Sequence, residues 1–277
     1  MHALPRNIIS YLCGKIFKVK FPSPFYLLFN YLFVWLYKID MSEAEKPLFS
    51  YKSINELFTR KILMSKRIPE SSYCSPCDGI LQVSQAVEID NTAIQAKGLS
   101  YSVSDLLSLD DDDNLDNFLP GWYTTVYLAP SNYHRVHSPV AGEVLSIKHI
   151  PGDLWPVNSY FVNRLPGLFI KNERLIFKIR ENSGYLVYVV MVGALNVGQM
   201  TTHFVDNFAT NNLRKKSYKR SFNIEKDKTI SVGDELGVFH FGSTAIVVFD
   251  ENISNHEDFY KYNEKAQPIR LGQSLLN

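Results

Sequence analysis

The chain has 277 residues, 45% of them hydrophobic and 21% charged, so it can bury the core of one large domain or two small ones. Its formal net charge of +1 provides no overall field that would select nucleic acid as a partner. The three cysteines are too few for the disulfide framework of a small secreted protein, which favours a reducing compartment.

The N-terminal segment is basic and contains no acidic residue up to position 39. Within it, Phe25 to Tyr37 is strongly apolar and aromatic and predicts a helix. At ~1.5 Å per residue this helix is about 20 Å long, against roughly 30 Å of membrane hydrocarbon. The composition favours a helix in the membrane interface, with lysines on anionic lipid. A helix packed on the protein core and a transit peptide are alternatives, whereas no small-residue cleavage site supports a secretory signal peptide.

Three Ser-x-x-acid spacings, at 42–45, 53–56 and 102–105, are typical of helix starts. We expect the second to open a helix with one apolar face and one exposed, polar side. The apolar face would carry Ile54, Leu57, Phe58 and Ile62, and the exposed side Thr59, Arg60 and Lys61.

From Trp122 onward the sequence is typical of strands, because β-branched and aromatic runs alternate with glycine and proline. The pattern Ser-Pro-x-x-Gly occurs twice, at 75–79 and 138–142, and indicates a duplicated β unit. The predicted strands cover residues 122–128, 144–150, 185–192 and 245–249.

These signals together predict an α+β fold, with an N-terminal helical segment on a mostly antiparallel β domain. We expect a membrane-associating helical region over residues 1–65 and a β-rich domain with the candidate catalytic residues over 66–250. Residues 251–277 are expected to form a polar tail on the surface.

Two charged runs are expected at the surface. Asp110 to Asp116 contains five aspartates but lacks the glycine and glutamate of a calcium loop, so a solvated loop is expected. Arg214 to Arg220 contains five basic residues and is either an exposed loop or a second contact for anionic phosphates.

Four residues supply the chemistry of a nucleophile and its helpers. Ser243 follows Gly242 between two β-like runs, while Asp78, His134 and His137 lie in turn-like contexts upstream. Their side chains match a nucleophile, a base, an orienting carboxylate and a further proton donor. The Gly-x-Ser-x-Gly elbow of many hydrolases is missing, so a structural Gly-Ser turn stays an alternative.

No metal site is expected. His134 and His137 would share one face of a helix, but the flanking prolines and strands predict extended structure, in which they point to opposite faces. Cys74 and Cys77 form a lone Cys-x-x-Cys without the second pair that zinc sites normally need.

The motifs taken together resemble the phosphatidylserine decarboxylase family of the bacterial membrane type, in the family's order from about residue 38 to 250. Phe241 stands where the family usually has leucine, and Cys77 where it usually has a small apolar residue. Neither change removes a reacting group. The matching motifs are KIDM 38–41, FTRK 58–61, PCDG 76–79, QAKG 95–98, YHRVH 133–137, PGDL 151–154, KNER 171–174, VGA 192–194 and FGST 241–244.

The resemblance implies a proenzyme that cuts itself between Gly242 and Ser243, giving a long β chain 1–242 and a short α chain 243–277 that stay packed together. Ser243 Oγ would attack the adjacent Gly242 carbonyl with a large proximity advantage. His137 would be the base, Asp78 would orient it, and Ser243 would become an N-terminal pyruvoyl group.

The pyruvoyl group would form a Schiff base with the amine of phosphatidylserine and delocalise the electrons left when CO2 departs. His134 is the candidate donor of the proton that then reaches Cα, which gives phosphatidylethanolamine. The implied partners are the phosphatidylserine substrate, an anionic membrane surface and a second copy in a homodimer, without nucleic acid. The implied location is peripheral, on the cytoplasmic side of the cell membrane.

Two other functions fit some of these residues. Ser243, His137 and Asp78 could form the triad of an ester hydrolase. The Ser-Pro-x-x-Gly units and the Pro-Gly-Asp turn are also similar to lipoyl-type carrier domains, although no lysine-bearing hairpin tip stands out.

Overall fold

The computed structural model describes most of the chain. The acidic run and most of the basic cluster (212–217) lie outside the described residues, as do Lys97 and Phe241. The described ranges are 5–96, 98–109, 121–195, 199–211, 218–225, 228–240, 242–262 and 266–277.

Short helices and many strands alternate along the chain, with the two longest helices first. The helices are α1 Arg6–Phe17, α2 Phe25–Tyr37, α3 Ile54–Phe58, α4 Val103–Leu107, α5 Ser159–Val162, α6 Leu168–Lys171 and α7 Glu251–His256. The strands are β1 Gly79–Ala86, β2 Thr92–Ala96, β3 Leu99–Ser102, β4 Trp122–Leu128, β5 Arg135–His137, β6 Gly142–Ile150, β7 Arg174–Glu181, β8 Leu186–Val192, β9 Met200–Thr201, β10 Arg220–Asn223, β11 Thr229–Ile230, β12 Glu235–Phe239, β13 Ser243–Phe249 and β14 Gln267–Ile269.

The core is built on a nine-stranded sheet with the order β10-β6-β7-β8-β13-β4-β1-β14, in which β11 also pairs with β6. Its strands pair antiparallel throughout. The central strand β13 is buried along its whole length, because its sequence STAIVVF has few polar side chains to present to water on either face. A three-stranded sheet, β5-β12-β9, and the β2-β3 pair complete the β structure. The predicted α+β fold is confirmed.

The N-terminal helices differ in part from the prediction. Helix α2 has the predicted bounds, whereas α1 was not predicted at all. The spacing at 42–45 opens no helix, since Ala44 forms a β-bridge with Ile62 instead. Ser53 and Ser102 do cap α3 and α4 through their hydroxyls.

Arg60 was expected on the exposed side of a helix, and this expectation is wrong. Helix α3 ends at Phe58, and the chain turns at Thr59 so that Arg60 lies inside the protein with 4% of its surface exposed. Its Nη2 atom donates to the Ser131 carbonyl over 3.4 Å.

The C-terminal segment is part of the fold and does not form the expected surface tail. Strand β14 pairs with β1 at the edge of the main sheet, and Phe259, Leu271 and Leu275 are buried. These apolar residues stand singly among polar ones, so the composition of the segment conceals its contribution to the core.

The two Ser-Pro-x-x-Gly segments form the same turn. In each, the serine hydroxyl donates to the backbone carbonyl two residues further on, over 2.8 Å in the first and 2.6 Å in the second. Each also begins a sheet strand with its glycine, where a Cβ would overlap a carbonyl oxygen of the adjacent strand. A second glycine with positive φ, Gly272 or Gly233, donates its N–H to the serine carbonyl of the first or second turn.

The two turns also hydrogen-bond to each other. The Cys74 N–H donates to the Pro139 carbonyl over 3.0 Å, and the His137 N–H donates to the Pro76 carbonyl over 2.8 Å. This pairing brings the segment that contains His137 beside the segment that contains Asp78, although the two residues are far apart in the sequence.

Candidate active site

Ser243 is the first residue of β13 and lies opposite Leu128 of β4. Its side chain is fully buried, and its Oγ has no hydrogen-bond partner in the described part of the chain. Buried hydroxyls are normally hydrogen-bonded, so an unpartnered one needs an explanation, and a reacting group is one. A Cβ at the preceding Gly242 would come no closer than 3.6 Å to a backbone atom, so packing alone does not require a glycine there.

Asp78 and Ser243 lie at the same end of the sheet. Tyr127 of β4 pairs with Ile80 of β1 on one side and with Thr244 of β13 on the other. Because β1 and β13 both run antiparallel to β4, Asp78 just before β1 and Ser243 at the start of β13 lie at the same edge of the sheet. Two strand spacings separate them, which is roughly 9.5 Å between backbones.

His134 precedes β5 and is fully buried. Its carbonyl accepts from the Phe239 N–H over 2.9 Å, which joins it to the strand that leads to Gly242. Its ring Nδ1 lies 2.8 Å from the Asn132 carbonyl and therefore carries the proton. Its Nε2 has no partner among the residues described. The ring centroid lies 3.9 Å from that of Phe58 in α3.

Burial lowers the pKa of His134 to about 3, and the nearby Arg60 also opposes its protonation, against a smaller opposite effect of the Asn132 carbonyl. The imidazole is therefore neutral at pH 7. Its bare Nε2 can accept a proton, and it must do so before it can donate one.

His137 ends β5 and is held at both ring nitrogens. Nδ1 lies 2.7 Å from the Gly233 carbonyl and so carries the proton, while Nε2 lies 3.0 Å from the Tyr133 hydroxyl and accepts from it. Burial lowers the pKa of His137, with Gly233, Glu235 and Asp78 acting in the opposite direction. Gly233 thus fixes the tautomer that leaves Nε2 as the basic nitrogen.

Asp78 is half-buried and binds two donors other than His137. Arg67 donates to one carboxylate oxygen over 3.0 Å, and the Leu271 N–H donates to the other over 2.8 Å. Across the described ranges, no hydrogen bond joins Asp78 to His137, so the direct carboxylate–imidazole contact expected from the sequence is not present in this structure. Asp78 acts on His137 through its charge, which favours the protonated imidazole.

His240 is a candidate site residue that the sequence motifs do not reveal. Its Nδ1 lies 3.0 Å from Asn55 Oδ1, its Nε2 lies 3.0 Å from Thr201 Oγ1, and its N–H donates to the Gln199 carbonyl. It stands just before Phe241 and Gly242, so these contacts anchor the segment that enters Ser243. The only sequence signal is a histidine where an alternating strand ends.

In the parts of the chain that the structure describes, no group of three or more His, Cys, Asp or Glu side chains is placed to hold a metal ion. Cys74 and Cys77 are buried, unpaired thiols, and burial raises the pKa of Cys77.

Comparison with known proteins identifies what the chain is similar to. The sequence profile of the phosphatidylserine decarboxylase family matches residues 54–277. A phosphatidylserine decarboxylase proenzyme of Brevibacillus brevis is 36% identical over 279 aligned positions, covering 99% of this chain and 95% of that protein. Proenzymes of the same name from Nitrosospira multiformis and Helicobacter pylori J99 are 35% and 33% identical, covering 91% and 97% of this chain and 86% and 96% of theirs.

The buried histidines predict a loss of stability in acid. Burial lowers the pKa of His134 to about 3 and that of His240 to about 4, against an ordinary value of 6.5. Below pH 6.5 the unfolded chain therefore binds protons that the native chain does not, and the free energy of unfolding falls with pH. For His134 alone the loss at pH 5 is about 2 kcal/mol.

The measurement is urea unfolding at pH 7 and pH 5 in a Ser243→Ala background. His134→Gln should lose less stability between the two pH values than its parent. His256→Gln, at an exposed histidine, is the matched control and should behave like the parent. Equal losses of unfolding free energy in the His134→Gln variant and the parent would contradict the lowered pKa of His134 in the native protein.

Proposed function

The chain belongs to the phosphatidylserine decarboxylase family, and on that premise we propose that it is a self-processing decarboxylase. It would convert phosphatidylserine to phosphatidylethanolamine and CO2, with a pyruvoyl group made from Ser243. The observation that carries this proposal is the buried, unpartnered Ser243 hydroxyl directly after Gly242. In the uncut chain an external substrate cannot reach such a hydroxyl, whereas the preceding carbonyl of its own chain lies one residue away.

Self-cleavage begins when Ser243 Oγ attacks the Gly242 carbonyl carbon. The C–N bond between the two residues breaks, an ester forms, and the hydroxyl proton passes to the new amine through a base. Elimination then releases the Gly242 carboxylate, and hydrolysis with loss of ammonia leaves the pyruvoyl group on the short chain. Attack within one chain gains the proximity advantage of an intramolecular reaction.

His137 is the proposed base for cleavage. The Gly233 carbonyl holds the proton on Nδ1 and leaves Nε2 basic, while Asp78 contributes a negative charge that stabilises the imidazolium. The Tyr133 hydroxyl donates to Nε2 over 3.0 Å. Before Nε2 can take the serine proton, this hydroxyl must turn away or relay the proton itself. Tyr133 is therefore part of the proposed cleavage machinery.

The residues around Ser243 fit a pyruvoyl group. The Ser243 Oγ and the Thr244 Oγ1 are both buried without a partner in the described segments, so converting the serine breaks no hydrogen bond of its side chain. Strand β13 pairs with β4 from Ser243 to Phe249 and with β8 from Thr244 to Phe249, so it would hold the short chain in the sheet after cleavage. When present, the pyruvoyl carbonyl supplies the electron sink that decarboxylation of an amino acid needs.

His134 is the proposed proton donor to the substrate Cα. Its Nε2 is bare and its environment excludes water, so a proton placed there would be held weakly and given up readily. The Asn132 carbonyl and the ring of Phe58 fix its orientation.

The alternative of a Ser-His-Asp ester hydrolase is less well supported. A hydrolase needs an accessible nucleophile hydrogen-bonded to its base, and Ser243 is fully buried with its Oγ unpartnered in the described structure. Asp78 and His137 each bind other groups.

The N-terminal helices are the proposed membrane-docking surface. No helix within the described ranges is long and apolar enough to cross a membrane. Helices α1 and α2 nevertheless expose many large apolar side chains, which marks an interaction surface. On the family premise we also propose a peripheral location at the cytoplasmic face of the cell membrane and a homodimer. The exposed apolar residues of the two helices are Ile8, Leu12, Ile16, Phe25, Leu28, Phe29, Tyr31, Leu32, Trp35 and Leu36.

The two histidines should separate cleavage from decarboxylation. We expect His137→Ala to stay uncut, because cleavage loses its base. We expect His134→Ala to be cut into 1–242 and 243–277 but to release CO2 from phosphatidylserine at least about 100-fold more slowly. Mass spectrometry and CO2 release measure the two steps, with His256→Ala as the control. A cut His137→Ala beside an uncut His134→Ala would show that the roles are exchanged.

Membrane docking should depend on the exposed face of α2. Trp35 and Leu36 are 69% and 65% exposed, so Trp35→Ser/Leu36→Ser should weaken binding to phosphatidylserine vesicles at least about tenfold in co-sedimentation. Self-cleavage should be unchanged. Ile89→Ser, which removes a residue that is 87% exposed on the β1–β2 connection, is the matched control. Equal binding by both variants would contradict the proposal.

Deleting residues 1–39 would be a less direct test. Phe33 on the inner side of α2 contacts Phe58 with ring centroids 6.4 Å apart, and the ring of Phe58 contacts that of His134. A deletion would therefore disturb the site together with the docking surface.

A further inference from the structure

Arg60 is a buried cation whose hydrogen-bonding capacity is largely unused. Only 4% of its surface is exposed, and its Nη2 makes one long hydrogen bond, 3.4 Å, to the Ser131 carbonyl. Its Nε and Nη1 are buried and have no partner among the residues that the structure describes. No carboxylate in those residues lies within ion-pair distance of it. An unpaired buried guanidinium is costly, so a structural role alone does not account for it.

Two cavities meet at Arg60. One of about 430 Å³ is also lined by Asp78, Tyr133 and Arg67, and one of about 250 Å³ by Tyr51 and Arg135. Arg60 thus lines two spaces of headgroup size, and the larger space reaches two residues of the proposed active site, Asp78 and Tyr133.

The larger cavity carries an excess of positive charge. Four cationic residues and three carboxylates line it, which leaves an excess of one positive charge. Glu43 pairs with Arg67 and Arg270, and Asp78 pairs with Arg67. Arg60 and Lys38 are the cationic wall residues for which no ion pair is present within the described ranges. The four cations are Lys38, Arg60, Arg67 and Arg270, and the three carboxylates are Asp40, Glu43 and Asp78.

Arg60 is connected to both catalytic histidines by one short loop. Ser131, which accepts from Arg60, is followed by Asn132, which holds the ring of His134, and by Tyr133, which binds His137. Phe58, two residues before Arg60 in the sequence, contacts the ring of His134. A ligand that binds Arg60 in the larger cavity would lie in the space that Asp78 and Tyr133 also line.

We propose that Arg60 binds the phosphodiester of the lipid headgroup. This inference rests on the proposed function for the identity of the substrate. A guanidinium recognises oxyanions by charge-assisted hydrogen bonds. Nε and Nη1 are left to make them once the side chain turns from its buried position toward the larger cavity. The substrate offers two such groups, the phosphodiester and the serine carboxylate.

The chemistry of decarboxylation favours the phosphodiester. The carboxylate leaves as CO2, and an arginine that binds it tightly would stabilise the ground state and slow its loss. The phosphodiester keeps its charge throughout the reaction, so a contact to it anchors substrate and product equally. Arg60 is thus a substrate-positioning residue and takes no part in proton transfer.

Binding to the uncleaved Ser243→Ala chain tests this directly. That chain has no pyruvoyl group, so the result does not depend on whether self-processing and decarboxylation occur as proposed. The probes are glycerophosphoethanolamine, glycerophosphoserine and N-acetylserine, with dissociation constants measured by calorimetry. Adding Arg60→Gln to this chain should weaken the binding of both glycerophospho compounds by a similar factor of at least about ten. The dissociation constant of N-acetylserine should stay unchanged.

Lys52→Gln, which removes an exposed charge outside both cavities, is the matched control and should leave all three dissociation constants unchanged. Arg60→Lys keeps the charge without the planar fork and should give an intermediate loss, which also covers the case of a poorly folded Arg60→Gln chain. Undiminished binding of glycerophosphoethanolamine to a folded Arg60→Gln or Arg60→Lys chain would overturn the proposal. A loss confined to glycerophosphoserine and N-acetylserine would assign Arg60 to the carboxylate instead.

Discussion

The pairing of β13 with a strand on each side is the constraint on which the rest of the site depends. β4 pairs with β13 from its first residue and β8 pairs with it from its second, so the backbone at Ser243 is held in the sheet away from water. Ser243 is consequently buried with an unused hydroxyl next to the Gly242 carbonyl. In the proposed reaction the same pairing would keep the short chain in place after the backbone is cut, so one interaction would serve both stages.

The two turns that hydrogen-bond to each other place the histidines at this end of the sheet. The His137 N–H donates to the Pro76 carbonyl, which brings the segment of His134 and His137 beside the segment of Asp78. Burial then keeps the imidazoles neutral, and each Nδ1 donates to a carbonyl so that Nε2 is the basic nitrogen. Helix α2 completes the arrangement. Its inner side touches Phe58 above His134, and its outer side exposes the apolar residues proposed to meet lipid.

Strong local patterns predicted the fold class, α2 with its bounds and the central strands, because apolar periodicity and β-branched runs decide those elements. Long-range contacts decided the rest. Arg60 follows a helix that stops early, Leu271 donates to Asp78 from a segment of polar composition, and His240 is fixed by Asn55 from α3. No spacing in the sequence encodes these pairings, so the motifs pointed to the candidate reacting residues but not to the side chains that hold them.

The central claim is that Ser243 attacks its own backbone, and intact mass spectrometry of the wild-type chain beside Ser243→Ala tests it most directly. The wild-type protein should give two chains, 1–242 and 243–277, with the short chain blocked at its N-terminus by a pyruvoyl group. The Ser243→Ala chain should remain whole at 277 residues. A whole wild-type chain, or a short chain that begins with an unmodified serine, would contradict the account.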